Sequence, residues 1–232
     1  MNVLAIDSST ISMGVAIANQ EMILGELITN VKKNHSVKLM PGIEKLMKEV
    51  NIKPSELDRI VVVTGPGSYT GVRIGVTIAK TMAWTLKKEL VGISSLELLA
   101  QNGQFFNGYI SPIFDARRER VYTGLYRSVD GVIKQEREDC VIERAEWLDR
   151  LETLGQPVLF LGYDLSIHKQ PIVDRLGDQA IFTHFEKSQP NPAVLARLGM
   201  QKQPVTSIHE FVPTYLQLAE AETKWLAKQE GK

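Results

Sequence analysis

Apolar positions in this chain come in short blocks, and block length predicts a mixed α/β protein. Val3–Ile6, Met13–Ala18 and Met22–Leu27 read as short strands, and Ile60–Val63 is a continuous apolar one. Between them the spacing changes to that of a helix. Over Ser36–Val50 the residues Leu39, Ile43, Leu46 and Val50 make one stripe, widened by Met40 and Met47. A second helix is predicted over Thr70–Leu86, a strand at Leu90–Ile93 and a short helix over Ser94–Gln101, where Ser94 and Glu97 fit a capping box.

"QNGQFFNG", Gln101 to Gly108, is the clearest break, and beyond it the pattern restarts. Strands are predicted at Tyr109–Phe114, Arg120–Tyr126, Val132–Val141 and Val158–Leu161, with a helix over Arg144–Leu154 and more helix after it. Both halves begin with a strand that ends in aspartate, Asp7 or Asp115, followed by a polar loop, two antiparallel strands and helices. A duplicated α/β unit is the expectation, divided into residues 1–104 and 105–232.

The Thr70–Leu86 helix carries more apolar surface than one lobe needs. Its small and apolar residues cover roughly 200° of the circumference, about twice the width of an ordinary surface helix. Val72, Val76, Ala79 and Ala83 fill one flank, and Ile74, Ile78 and Met82 the other. Gly71 and Gly75 lie between them and would admit a second backbone. The pattern predicts a partner interface on the two helices through His35, Leu39, Met40, Ile43, Met47, Gly71, Ile74, Gly75, Ile78 and Met82. Such a contact would bury roughly 800 Å² per partner.

The glycine turn before this helix, "GPGSYTGVR", fits neither phosphate fingerprint. No lysine follows a correctly spaced glycine, and Gly65, Gly67 and Gly71 are one residue out of step with G-x-G-x-x-G. A tight turn with a helix cap is the simpler expectation, with a nonstandard anion site as the alternative.

Composition narrows the function classes. Lys plus Arg and Asp plus Glu balance at 27 each, against RNA binding through a broad basic surface. The single cysteine, Cys140, excludes an internal disulfide framework and fits a reducing compartment. No leader or membrane-spanning run is visible, so a cytoplasmic protein is expected.

Six segments, in order, resemble the TsaB family, also called YeaZ: "LAIDSST" from Leu4, "HSVKLMP" from His35, "GPGSYTGVRIG" from Gly65, "GISSLELLA" from Gly92, "DARRERVY" from Asp115 and "PTYLQLAEAE" from Pro213. The resemblance implies an actin/Hsp70/sugar-kinase-type (ASKHA) fold with two like subdomains. It implies a role in bacterial threonylcarbamoyladenosine formation beside the anticodon of tRNAs reading codons that begin with A. The expected role is that of a non-catalytic subunit, partnered by the catalytic TsaD and the ATPase TsaE and a homodimer when alone. It would reach tRNA only through that complex. ATP, Mg²⁺ and a metal are expected in the partner subunits, and none in this chain by itself.

Catalysis by the chain itself finds little footing. A helical zinc pair needs histidines four apart, but Leu39, Ile172, Ser188 and Pro213 stand four after His35, His168, His184 and His209. That argues against a metallopeptidase. The rival reading is an ATP-dependent transferase in which Asp7, Ser9 and Thr10 handle a nucleotide, with Asp115 facing them across a cleft. Arg117 and Arg118 are candidate tRNA contacts, and Glu220 and Glu222 are expected on a solvated helical face.

Overall fold

The computed structural model describes residues 1–31 and 34–217. Strands β1 (Val3–Asp7), β2 (Met13–Ala18) and β3 (Ile23–Thr29) form a meander. After it come helix α1 (His35–Glu49), strand β4 (Arg59–Gly65), helix α2 (Tyr69–Leu86) and strand β5 (Glu89–Ser94). The first sheet has the order β3-β2-β1-β4-β5, with β1, β4 and β5 parallel.

The short helix α3 (Ser95–Ala100) leads into the second half. There β6 (Tyr109–Asp115), β7 (Arg120–Val129) and β8 (Val132–Glu143) repeat the meander. They are followed by α4 (Arg144–Glu152), β9 (Val158–Leu161), α5 (Leu165–Leu176) and β10 (Ala180–Phe182). The second sheet reads β8-β7-β6-β9-β10, the same topology as the first. Asp7 and Asp115 end the two central strands, as the repeat of layout predicts.

Local chemistry explains the element ends. Asn34 caps α1 through Ser36 N, and Pro41 sits inside that helix. Ser68 caps α2 by accepting from Gly71 N, and the left-handed Lys87 closes it. Ser94 caps α3 through Leu96 N and Glu97 N, but the Glu97 carboxylate does not return to complete a capping box. It pairs with Lys202 at 2.7 Å.

Packing departs from the division expected at residue 104. Helix α6 (Pro192–Gln201) lies on the first sheet, joining Leu195, Ala196 and Leu198 to Val3, Ala5, Val61, Val63 and Val91. The approach is close: a Cβ on Gly199 would fall 2.1 Å from Val61 Cγ2. A strand with apolar residues on both faces needs cover on both, and on this face the first half supplies only Leu98 of α3. The chain then crosses α2, with Lys80 Nζ donating to the carbonyls of His209 and Phe211 and Thr214 N bonding to Thr64 O. Glu220 and Glu222, with the end of the "PTYLQLAEAE" motif, lie outside the described residues.

Candidate functional site

The glycine turn is used to seat another loop of the same chain. After Asp7 the residues Ser8, Ser9 and Thr10 run against the start of α2 and are buried. Ser68 N donates to Ser9 O at 2.7 Å, and Ser8 Oγ donates to Gly71 O at 2.8 Å. A Cβ on Gly67 would stand 2.2 Å from Ser9 O, one on Gly71 2.1 Å from Ser8 O, and one on Gly75 2.6 Å from Ser8 Oγ. The second backbone that the small residues admit is therefore the β1–β2 loop. Gly71 and Gly75 are removed from the expected partner interface.

This seating also consumes the groups a phosphate would use. Ser9 N and Ser9 Oγ both bind Asp7 Oδ1, at 2.8 and 2.7 Å, and Gly71 N binds Ser68 Oγ. Thr10 Oγ1 accepts from Ser12 N. Burial pushes the Asp7 carboxyl above its usual range, against the lowering effect of the two Ser9 bonds. Of the three candidates for a nucleotide cleft, Asp7 and Ser9 are thus joined to each other, Ser9 is joined to the glycine loop, and Thr10 is joined to Ser12.

The two helices divide the remaining interface candidates. Leu39, Ile43 and Met47 are buried in the first core and do not reach the surface, because their stripe is the one that faces β2 and β3. Met40 is 43 % exposed and its neighbour Val37 63 %. His35 is half-buried at the helix start. Ile74, Ile78 and Met82 are half-buried along the outer margin of the same core. Ser36, Tyr69, Arg73, Ile74, Thr77 and Ile78 line an open hollow of about 370 Å³ at that margin. The returning chain touches α2 without burying it: Trp84, 61 % exposed, meets His209 edge-on, and Tyr69 meets Tyr215.

At the end of β6 the structure joins residues far apart in sequence. Asp115 N donates to Asp164 Oδ2, and Asp115 Oδ1 lies 3.3 Å from His168 Nε2. His168 Nδ1 is 3.4 Å from a guanidinium nitrogen of Arg144. Because a guanidinium only donates, Nδ1 is the acceptor there, and the buried Nε2 faces Asp115 without completing a hydrogen bond. Burial lowers the His168 pKa, which keeps the ring neutral. No histidine spacing signals this cluster. Arg117 and Arg118 are exposed on the adjoining turn. Among the described residues, no three His, Cys, Asp or Glu side chains are placed to hold a metal ion.

A matched pair of mixed sheets, each with a central strand ending in aspartate, is the architecture of the actin and sugar-kinase class. A hexokinase of Thermus thermophilus superposes with a TM-score of 0.51 over 86 % of this chain and all of that one, at 9 % identity. YeaZ from Pseudomonas aeruginosa superposes more fully, with a TM-score of 0.77 over 93 % of this chain and 99 % of that one, at 22 % identity. Residues 23–225 match the family model of TsaD, tRNA N6-adenosine threonylcarbamoyltransferase. The TsaB protein of Bacillus subtilis, a tRNA threonylcarbamoyladenosine biosynthesis protein, is 48 % identical over 99 % of this chain and its own full length. TsaB of Escherichia coli is 27 % identical over 67 % of this chain and 68 % of its own. The chain belongs to the TsaB family within this class. Among the described residues no helix is long and apolar enough to cross a membrane.

Proposed function

We propose that this chain is a non-catalytic, activating subunit in the formation of threonylcarbamoyladenosine on tRNA. It docks on a TsaD-type catalytic chain, or on a second copy of itself when alone, through the outer margin of α1 and α2. The observation that carries this reading is the apolar surface left where the two helices meet solvent: Val37 and Met40 on α1, with Ile74, Ile78 and Met82 beside them. A TsaE-type ATPase completes the assembly, which works in the cytoplasm. In this reading ATP is bound by partner subunits, and tRNA is met only in the complex.

A transferase using Asp7 is disfavoured because the amides beside it already have acceptors within the chain. Titration with ATP and Mg²⁺ tests that point directly: micromolar binding lost in Asp7→Ala would reinstate the enzyme. The docking face is tested by Val37→Asp, which puts a charge at a position 63 % exposed. Self-association measured by light scattering, and capture of the TsaD-type chain, should both fall at least tenfold while the melting temperature holds. Undiminished assembly would mean that the partner sits elsewhere.

A further inference from the structure

We propose that the β6–β7 turn is a preformed phosphate-binding tip for RNA, with Arg144 and His168 as the positioning residues that hold its shape. The inference rests on the reading above, that the chain works on tRNA within a complex. It adds where the RNA backbone would touch.

The turn is built against the preference of its own residues. Arg117, Arg118 and Glu119 have φ of +60°, +52° and +59°. Left-handed hairpin positions favour Asn and Gly, because a Cβ crowds the following carbonyl. Three consecutive side-chain-bearing residues there persist only when their surroundings enforce the geometry.

The enforcing contacts are explicit. Ala116 N donates to Arg120 O, and Arg120 N to Arg117 O, closing the turn from within. From outside, Arg144 grips Glu119 twice: its backbone N donates to Glu119 O at 2.8 Å, and its guanidinium meets Glu119 Oε1 at 3.1 Å. The other guanidinium nitrogen rests on His168, which is 1 % exposed and points its Nε2 at Asp115, the residue that leads into the turn. Asp164 holds the Asp115 amide. Glu119 and Asp115 are therefore occupied by the support, while Arg117 stands exposed on a fixed backbone. A guanidinium so placed loses less conformational freedom on meeting a phosphate. On a chain with no net charge, such a tip adds local contacts without general RNA affinity.

The test uses the co-purified assembly of this chain with its TsaD-type partner and an unmodified tRNA transcript, with affinity followed against salt. Arg117→Glu should weaken binding and reduce the slope of log K on log[salt] by about one, with assembly unchanged by size exclusion. Arg144→Gln should produce the same loss, and the double variant should bind no worse than Arg117→Glu alone. A purely structural Arg144 would lower stability and leave the slope alone. If Arg144→Gln fails to fold, Glu119→Gln releases the guanidinium grip at an exposed position. Wild-type binding with an unchanged slope in Arg117→Glu overturns the tip and leaves the subunit reading standing. An assembly that does not bind the transcript overturns both.

Discussion

Gly42 and Gly71 both sit in helices and both are buried, yet they should respond to alanine in opposite ways. A Cβ on Gly42 would find Met13 Cε at 3.7 Å, an ordinary contact, so Gly42→Ala should stabilise the fold by about 0.5–1 kcal/mol through helix propensity. A Cβ on Gly71 would lie 2.1 Å from the Ser8 carbonyl oxygen, so Gly71→Ala should destabilise by about 1–3 kcal/mol or more. Urea midpoints of the two variants check the pair. Asp7 adds a pH signature. Its folded pKa is raised, so its ionisation opposes folding: its contribution is whole below the unfolded carboxylate pKa, about 3.9, and declines as pH rises through the folded value. Asp7→Asn keeps an oxygen acceptor for Ser9. It should therefore melt above the wild type at pH 7 and level with it near pH 3, and equal melting at both would refute the buried charge. The glycine spacing alone implied that a backbone comes close to α2. That the backbone belongs to Ser8 and Ser9 was not legible, because fold pairing, and not local pattern, brings residues 8 and 71 together.

Elements were more legible than contacts. The β2 and β9 runs have the bounds that their apolar pattern predicts, and α1 and α2 each begin one residue earlier than predicted. Strand β10 went unseen because three residues in parallel pairing carry no periodicity. The destination of α6 was also hidden, since an amphipathic helix does not say which sheet it covers. Its end is fixed by a buried cation. The Arg59 guanidinium, at the base of β4, donates to the carbonyls of Gly199, Met200 and Lys202 and pairs with Glu89. These are the carbonyls that a helix end leaves without partners. Arg59→Met should strip them and cost about 2–3 kcal/mol. Hydrogen exchange should show the last turn of α6 opening first, and uniform protection would argue against the cap.

At the scale of the molecule, the two lobes share a packed and hydrogen-bonded seam. Helix α3 inserts Leu96, Leu99 and Ala100 among Ile110, Phe114, Tyr126, Leu159 and Leu161 of the second lobe, while Leu98 faces the first. Beside it Ser94, the α3 cap, bonds to Asp139, which also takes Tyr126 and Gln135. A scaffold gains from that rigidity, whereas domain closure around a nucleotide would have to break it. The first lobe, moreover, is finished by chain from beyond the second: α6 covers one face of its sheet, and Phe211 lies against Gly92. Residues 1–104 by themselves would leave Val3, Ala5, Val61, Val63 and Val91 facing water. That fragment should show no cooperative melt by circular dichroism, and a fusion of 1–104 to 190–217 through a flexible linker should recover one. If 1–104 alone melts cooperatively near the full-length temperature, α6 is an accessory and the lobe boundary falls where the sequence break placed it. If only the fusion folds, the boundary is discontinuous. The second lobe is then an insertion into the first, and helices α1 and α2 depend on residues more than a hundred positions downstream for the sheet on which they stand.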